Sequence, residues 1–375
     1  MKNCRDCIMD MLYVEDCCEI LDSMRVPITA SEREEGEYPY YGANGIQDHI
    51  ADYIFDDELV LLAEDGGNFG SRERPIAYRV SGKCWVNNHA HVLKPKTGLD
   101  VDYLCYSLMF YKVDGMVNGA TRQKLTQAAM RKMQIPLRSM DKQKYIVDVL
   151  NHIIKLKERR QQELQLLDDL IKARFVEMFG SIHKSTEYPY VAVKDLTDVI
   201  SGGTPSRDKA EYWEDGTIPW VKTTELQNNI IVNVDEYITE AGLNGSSAKL
   251  VPVGTVLVAM YGQGKTRGMT AYLNIEACTN QACACILPSD KIDSMFMWKF
   301  FELSYEKIRS LAQGAGQPNL NGNMIKSFQV LVPPIELQKE YVDFVHQVDK
   351  SKVVVQKALD ETQILFNSLM QQYFG

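Results

Sequence analysis

Two stretches decide the fold of this chain: QKYIVDVLNHIIKLKERRQQELQLLDDLIKARFVEMFG (residues 143–180) and QKEYVDFVHQVDKSKVVVQKALDETQILFNSLMQQYFG (residues 338–375). They align without a gap, and the matched positions extend back to Gly119 in the first copy and Gly314 in the second. A gapless match of this length indicates that the chain is a tandem duplication.

Each copy contains a long amphipathic pattern in which apolar residues recur every three or four positions among charged ones. The apolar positions are Ile146, Val149, Ile153, Leu156, Leu164, Leu167, Leu170 and Ile171 in the first copy, and Tyr341, Phe344, Val348, Val355, Leu359, Leu365, Phe366 and Leu369 in the second. Neither run contains Pro or Gly. The two matching stripes predict two long antiparallel helices that form a coiled-coil spacer. The alternative is that each helix packs only on its own domain.

The composition, with 375 residues, 45% hydrophobic content and a net charge of −9, indicates a soluble protein. The strand and helix patterns along each half predict a mixed α/β (α+β) fold class. We expect a first domain at residues 1–118, a helical repeat at 119–180, a second domain at 181–313 and a second helical repeat at 314–375. No apolar run reaches membrane-spanning length. Nine cysteines, an odd number, fit a reducing compartment, so we expect a cytoplasmic protein.

In each half, an apolar strand leads into a glycine-rich loop, residues 59–63 before Glu64-Asp65-Gly66-Gly67-Asn68 and residues 256–260 before Tyr261-Gly262-Gln263-Gly264-Lys265. The second loop is not a nucleotide-binding loop, because Ala259 stands where that motif needs glycine. His89 and His91 fall on one face of a predicted strand at residues 85–93. No third metal ligand is nearby in sequence, so a hydrogen-bonding role is favoured over metal binding.

Several motifs of the second half occur in a characteristic order: Ser201-Gly202-Gly203-Thr204-Pro205, Ile218-Pro219-Trp220-Val221-Lys222-Thr223, Gly316-Gln317-Pro318-Asn319-Leu320 and Pro333-Pro334-Ile335-Glu336-Leu337-Gln338. Together with the duplicated helices, they resemble the specificity subunit of type I restriction-modification systems over essentially the whole chain. The first half departs from this pattern. Residues 22–27 replace the glycine-threonine loop, residues 121–124 replace Gly-Gln-Pro-Asn, and Arg138-Ser139 replaces the two prolines. The two domains are therefore expected to read different sequences.

This resemblance implies a non-catalytic subunit with two target-recognition domains that bind a bipartite double-stranded DNA target. Two modification subunits would supply S-adenosylmethionine chemistry, and restriction subunits would supply ATP-driven translocation and Mg-dependent cleavage. The chain itself is then expected to bind no cofactor, metal or membrane. The candidate DNA contacts are cations, amides and hydroxyl-bearing side chains. They are Arg72, Arg122, Lys222, Lys265, Arg267, Asn44, Asn68, Asn88, Gln281, Gln317, Asn319, Thr204, Tyr41 and Tyr261.

Two other function classes are less consistent with the sequence. An amino-methyltransferase needs an Asn-Pro-Pro-aromatic motif, but none of the 13 prolines follows an asparagine, and no Glu-x-Lys triplet suggests a nuclease. A protein-binding scaffold on a coiled-coil spacer is the main alternative, since only the loop motifs favour DNA.

Only the first helical repeat is strongly basic. We therefore expect partner subunits to neutralise many phosphates and the isolated chain to bind DNA weakly.

Overall fold

The computed structural model describes residues 11–119, 122–262, 264–312 and 319–375. The chain divides into two compact units, one with residues 1–161 and 357–375 and the other with residues 162–356. Each long helix therefore contributes one part to each unit. Among the described residues, no helix has both the length and the apolar character needed to cross a membrane.

The first unit is a mixed α/β structure built around one large sheet. Its elements are β1 (Met11–Tyr13), α1 (Val14–Cys17), β2 (Cys18–Ile20), β3 (Glu35–Gly42), β4 (Gly45–Ile50), β5 (Phe55–Ala63), β6 (Ala77–Val86), β7 (Ala90–Pro95), α2 (Val101–Met109), β8 (Val117–Asn118), β9 (Lys124–Leu125), α3 (Gln127–Arg131), β10 (Gln134–Pro136) and the first part of α4 (Met140–Phe179). Within the described ranges, the sheet has the order β2-β7-β5-β6-β3-β4.

Strand β5 forms the centre of this sheet. Leu59 to Ala63 are fully buried, because one face of the strand packs towards α2 and the other towards a second apolar cluster. A strand buried on both faces reads as a continuous apolar run, which explains why the sequence predicted it at residues 59–63. The predicted strand at residues 85–93 is wrong, because β6 ends at Val86 and β7 begins at Ala90.

The second unit has the same class of fold, divided over two main sheets. Its elements are β11 (Tyr190–Ala192), α5 (Val193–Leu196), β12 (Val199–Ser201), β13 (Ile218–Val221), β14 (Asn229–Ile231), β15 (Glu236–Ile238), α6 (Glu240–Asn244), β16 (Val256–Ala259), β17 (Thr270–Leu273), β18 (Cys278–Thr279), β19 (Cys283–Ile286), α7 (Ser294–Leu303), α8 (Tyr305–Ser310), α9 (Gly322–Ser327), β20 (Gln329–Leu331) and the first part of α10 (Ile335–Phe374). For the residues described, the sheet orders are β12-β19-β16-β17-β14 and β15-β13-β18.

In the first unit, the beginning of α4 packs antiparallel to the end of α10. Ile146 and Leu150 of α4 share one buried cluster with Phe366 and Met370 of α10 and with Tyr103 of α2. The helix pair therefore packs both on itself and on the globular part of the unit. The coiled-coil contact and the alternative, packing on the preceding domain, occur together.

The second unit repeats this arrangement with the end of α4 and the beginning of α10. Phe175 and Phe179 of α4 surround Tyr341 of α10 and Phe296 of α7, with ring centroids 5.4 to 5.9 Å apart. Aromatic pairs at such distances and tilts add to the free energy gained by burying their area. This cluster anchors both long helices to the second globular part.

The predicted apolar stripe is wrong at Leu156, Leu170 and Leu365, which are 41%, 46% and 49% exposed. Polar contacts join the two helices where apolar ones were expected. In the first unit the Arg160 guanidinium donates to the Thr362 hydroxyl. The ends of the helices are buried by the globular parts, so an apolar seam along their whole length is not needed to hold them.

A buried glutamine ties α4 to the helix that closes the first globular part. Gln143 accepts a hydrogen bond from the Asp100 N–H at 2.8 Å and donates to the carbonyls of Gly98 and Arg138 at 3.0 and 2.8 Å. Asp100 is the N-cap of α2. Gln143 therefore connects the first turn of the long helix to the start of α2.

The second unit contains the same connection at the matching position of the duplication. Gln338 accepts from the Asp293 N–H at 2.8 Å and donates to the Pro333 carbonyl at 2.7 Å. Asp293 is the N-cap of α7. Both glutamines are almost completely buried. The duplication has thus preserved a specific hydrogen-bonded clasp between long helix and globular part.

Candidate nucleic-acid interface

In the first unit, loops from distant parts of the chain meet beyond the end of β5. The Glu64 N–H donates to the His89 carbonyl at 2.8 Å, and the Leu125 N–H donates to the Glu64 carbonyl at 2.7 Å. The Asn87 N–H donates to the Tyr41 carbonyl at 3.0 Å. These three backbone bonds, which we call the frame, hold four chain segments together.

The frame brings two of the predicted DNA contacts to one place. Asn44 donates from Nδ2 to the Gly66 carbonyl at 3.0 Å. Asp65 Oδ1 lies 2.7 Å from the Arg122 guanidinium and 2.6 Å from His89 Nδ1. We call these five residues the first loop cluster. Asp65 and His89 were not among the sequence candidates, and they fix the position of the more exposed Arg122 side chain.

The other candidates of the first unit lie around this cluster. Asn88 is exposed in the turn between β6 and β7, and Asn68 is partly buried in the loop after β5. Arg72 is exposed in the same loop and forms no ion pair with any residue that the structure describes. Tyr41 is half-buried, with its ring 5.7 Å from that of Tyr78, and burial raises the pKa of the Tyr41 phenol.

A buried polar network lies directly behind the first loop cluster. His91 is fully buried, with Nδ1 2.7 Å from Asp22 Oδ2 and Nε2 2.9 Å from the Leu125 carbonyl oxygen. Gln127 donates to the same Asp22 oxygen at 2.8 Å. Arg25 donates to Glu64 Oε2 at 2.6 Å. The network therefore links β7 and the loop after β5 to the segment after β2.

This network explains the role of His91. Both ring nitrogens of His91 lie within hydrogen-bond distance of an oxygen atom, which is the hydrogen-bonding role that the sequence favoured over metal binding. The ligand atoms of Asp22, Glu64 and His91 do lie within 4.8 Å of one another, but Arg25 already supplies positive charge there. His89 precedes β7, so the predicted common face with His91 is wrong.

Electrostatics stabilise the ionised Asp22 in this network. Burial alone would raise the pKa of Asp22, but hydrogen bonding and charge attraction from His91 and the Gln127 and Val92 donors outweigh it. The pKa of Asp22 is therefore held below its usual value. A carboxylate with this many donors is a strong point of attachment for the loop that carries it.

The second unit builds the same frame with different residues. The Met260 N–H donates to the Ala282 carbonyl at 2.8 Å, and the Leu320 N–H donates to the Met260 carbonyl at 3.0 Å. The Asn280 N–H donates to the Val221 carbonyl at 3.1 Å. Each bond has its counterpart in the first unit. The loops of the second unit are therefore positioned by an equivalent backbone arrangement.

Close backbone approach explains the glycines of the Ser-Gly-Gly-Thr-Pro loop. A Cβ atom on Gly202 would lie 2.1 Å from Thr279 Oγ1, and one on Gly203 would lie 2.3 Å from Ser247 Oγ. The loop thus fits only with glycine at both positions. As a result, the Thr204 hydroxyl reaches Gln281 and donates to its Oε1. Thr204 and Gln281, both candidates, are in direct contact.

The loop after β16 is held by helix α8. Tyr305 donates from its hydroxyl to the Lys265 carbonyl at 2.7 Å, and Arg309 donates to the Arg267 carbonyl at 2.8 Å. The Lys265 side chain is exposed, and Tyr261 at the start of the loop is 42% exposed. A fixed backbone with exposed side chains suits contact with a large ligand. We define Thr204, Gln281, Tyr261, Lys265 and Arg267 as the second loop cluster.

Three further candidates have different surroundings. Lys222 Nζ lies 3.1 Å from Glu236 and 3.4 Å from Asp235, and hydrogen bonding to Glu236 raises the pKa of Lys222. The Lys222 amine is therefore already paired with two carboxylates. Asn319 is partly buried beside the Leu320 bond of the frame. Gln317 lies outside the described residues.

Sequence patterns did not predict those residues of the interface whose partners lie far away along the chain. Asp22 and His91 are 69 positions apart, and nothing local marks them as a pair. Tyr305 and Arg309 stand four apart on a short helix, a spacing that could have indicated one shared face. Lys249 and Lys326, which line one cavity of the second unit, belong to segments without a recognisable motif.

Comparison with known proteins gives a family match over most of the chain. The family described as type I restriction modification DNA specificity domain matches residues 9–166 and residues 186–362. The two matched regions mirror the internal duplication.

Individual relatives match this chain at low sequence identity or over only part of its length. The chain is 35% identical to a putative type I restriction enzyme specificity subunit of Haemophilus influenzae, over 38% of this chain and 37% of that one. It is 23% identical to the EcoR124I/EcoR124II specificity subunit of Escherichia coli, over 61% of this chain and 58% of that one. The matches thus span between about a third and three fifths of these relatives. A solved type I S subunit from M. genitalium has a similar fold, with a TM-score of 0.60 at 13% identity over 100% of this chain and 98% of that one.

Proposed function

Because the chain belongs to the type I restriction modification DNA specificity domain family, we propose that it is the DNA-reading subunit of a type I restriction-modification complex. Each loop cluster contacts one half of a bipartite double-stranded target. The chain itself is not an enzyme, and it directs the methylation and restriction that its partner subunits perform.

One observation carries this proposal beyond family membership: the two units share a backbone frame but place different polar side chains on it. The bond from Glu64 to His89 corresponds to that from Met260 to Ala282. A common scaffold with different side chains is suited to reading two different half-sites, since side-chain contacts to base edges carry the sequence information. A scaffold for a repeated protein partner would not require this divergence.

The first loop cluster offers a positioned guanidinium. Arg122 is oriented by Asp65, and a guanidinium held in one plane can donate two hydrogen bonds to O6 and N7 of guanine. Asn44 uses one amide hydrogen on the Gly66 carbonyl. Its Oδ1 and second amide hydrogen are available for the paired contact that an amide makes with adenine.

The second loop cluster offers neutral donors and one exposed lysine. Thr204 occupies Oε1 of Gln281, which leaves the Gln281 Nε2 group to donate to a base acceptor. Lys265 and Tyr261 are exposed in the loop after β16 and suit phosphate and sugar contacts. The two halves of the target are therefore expected to differ in sequence.

The acidic net charge of the chain favours a role for partner proteins in binding the DNA phosphates. The chain has a net charge of −9, and Lys222 is already paired with two carboxylates. We propose that two modification subunits bring S-adenosylmethionine and additional phosphate contacts. Restriction subunits would contribute ATP- and Mg-dependent cleavage. The assembly acts on DNA in the cytoplasm, and this chain alone binds DNA weakly.

Methylation of genomic DNA tests the proposal directly. The chain is expressed with its modification partner, and methylated bases are mapped and compared with those of cells that express the partner alone. A split, asymmetric motif methylated only when both proteins are present is the expected result. If the two proteins form a complex and no new methylated motif appears, the scaffold alternative takes precedence.

A further inference from the structure

A cavity of about 400 Å³ in the second unit is lined by residues at the end of β12 and around the start of α9. Ser201 at the end of β12 lines one part of it, Asn321 and Asn323 at the start of α9 line another, and Lys249 and Lys326 supply two amines. Ser201 begins the loop that carries Thr204. The cavity is therefore adjacent to a loop that we assign to DNA reading.

The cavity is positively charged. No Asp or Glu is among its lining residues in the part of the chain that the structure describes. Neither Lys249 nor Lys326 forms an ion pair with a described residue. Two amines beside one cavity repel each other, and an anion in the cavity would relieve that repulsion. The surroundings thus favour an anionic ligand.

The first unit shows why this space is open. Ile20 pairs with Leu93 in the first unit and Val199 pairs with Ile286 in the second, so Ser201 occupies the position of Asp22. In the first unit that position holds a carboxylate that is fixed by neighbouring side chains. In the second unit only a small hydroxyl group stands there.

A second difference enlarges the space. Gln127, which donates to Asp22 in the first unit, is the first residue of α3, and Gly322 is the first residue of the matching helix α9. A Cβ built on Gly322 meets no atom within 4 Å. Serine and glycine have thus replaced the acidic and amide side chains that fill the first unit.

We propose that this cavity binds a phosphate of the DNA backbone and so fixes the second unit on its half-site. Lys249 and Lys326 supply the charge, and the Ser201 hydroxyl and the Asn323 amide can donate hydrogen bonds. Asn321 uses its Oδ1 to cap α9, which leaves its amide hydrogens to donate. This inference rests on the proposed function, and it assigns positioning rather than base reading to the cavity.

The test measures DNA binding by the complete complex of this chain with its modification subunits. A duplex carrying the methylated motif is titrated between 50 and 200 mM salt, using wild type, a Lys249→Gln/Lys326→Gln variant and a Lys291→Gln control. Lys291 is an exposed lysine of the same unit that does not line the cavity. The double variant should bind about 10-fold more weakly and lose about one unit of salt slope, for target and non-target DNA alike.

A second arm locates the phosphate. Neutral methylphosphonate linkages are introduced one at a time beside the half-site read by the second unit. One linkage should weaken wild-type binding and leave the double variant unaffected. If wild type binds its target but the double variant behaves like the Lys291 control, the cavity proposal is wrong and the proposed function stands. If wild type shows no sequence preference, both are wrong.

A third arm separates DNA from free phosphate as the source of the anion. Inorganic phosphate is titrated into the DNA-free complex by calorimetry. Saturable binding that the double variant loses, with DNA affinity unchanged in that variant, would identify a site for a free anion and overturn the proposal. Loss of DNA affinity in the double variant, with the methylphosphonate pattern described above, supports it.

Discussion

The first unit has a buried network of charged side chains behind its frame, whereas the second unit has neutral residues at the positions that correspond to Asp22, His91 and Glu64. Asp22 and His91 are paired behind the first loop cluster, and Ser201 and Ala284 occupy the corresponding paired positions in the second unit. Glu64 corresponds to Met260. Duplication has therefore conserved the backbone hydrogen bonds while the side chains on them diverged.

This difference indicates that one set of residues stabilises each unit and another set recognises its ligand. The frame and the Gln143 and Gln338 clasps use buried groups that occur in both halves. The loop clusters use more exposed groups that differ. Changes in the frame or the clasp should destabilise a unit, and changes in a loop cluster should alter which sequence that unit reads.

The largest expected effect comes from breaking the charged network of the first unit. Asp22→Ala leaves the buried donors of His91 and Val92 and the partly buried donor of Gln127 without their acceptor, which should cost about 3 kcal/mol. The matched change Ser201→Ala should cost well under 1 kcal/mol. Hydrogen exchange measured on peptides of each unit reports the two losses separately. Equal losses in both units would contradict the contrast.

Removing the clasp should affect both units alike. Gln143→Leu and Gln338→Leu each leave the N–H of an N-cap residue and at least one carbonyl without this hydrogen-bond partner, at a cost of about 2 kcal/mol. Each variant should increase hydrogen exchange in its own unit. Gln→Glu at the same positions keeps the acceptor and loses the donors, so it should lie between wild type and leucine. A loss confined to one unit would show that the clasp is not equivalent in the two.

The stability of the second unit should depend on pH through His183. Burial between aromatic rings, with a smaller contribution from the Lys307 charge, lowers the pKa of His183 to about 4. The unfolded chain binds this proton near pH 6.5, so the unit should lose stability as the pH falls from about 6.5 to 4. Because His183 is partly exposed, we expect about 1 kcal/mol after allowing for solvent screening.

His183→Phe provides the control, since it keeps an aromatic ring against Phe300 and Phe328 but cannot take up a proton. Melting temperatures of wild type and variant are compared between pH 7 and 4.5. The difference between the two should grow as the pH falls, in favour of the variant. Parallel curves would show that His183 does not contribute to the pH dependence.

The smallest effect on stability is expected at the first loop cluster. Arg122→Gln removes an exposed ion pair with Asp65 and should change the free energy of unfolding by less than about 1 kcal/mol. The same substitution should relax the sequence preference of one half of the methylated motif. Unchanged stability with an unchanged motif would remove Arg122 from the list of base contacts.

Local patterns in the sequence predict much of the fold. The long helices follow from period and length, and β5 follows from an uninterrupted apolar run. The loop clusters are predicted only in part, because Thr204 and Gln281 were chosen separately and their contact depends on glycine packing at residues 202 and 203. The Asp22 and His91 pair depends on strand register, which no local pattern specifies.

The exposed leucines of the long helices illustrate the same limit. Leu156 and Leu365 have the spacing of a buried stripe, yet both face solvent in the structure. Periodicity predicts an apolar face, but the globular parts determine which segments of that face are covered. A sequence pattern therefore indicates that a helix needs partners and does not identify where along its length they lie.

The most direct test of two separate reading surfaces is to map methylated motifs in cells that express variants of each loop cluster with the modification partner. Asn44→Ala/Arg122→Ala should change only one half of the bipartite motif, and Thr204→Ala/Gln281→Ala should change only the other. Both halves changing in either variant, with the complex still assembled, would contradict the assignment of one half-site to each unit.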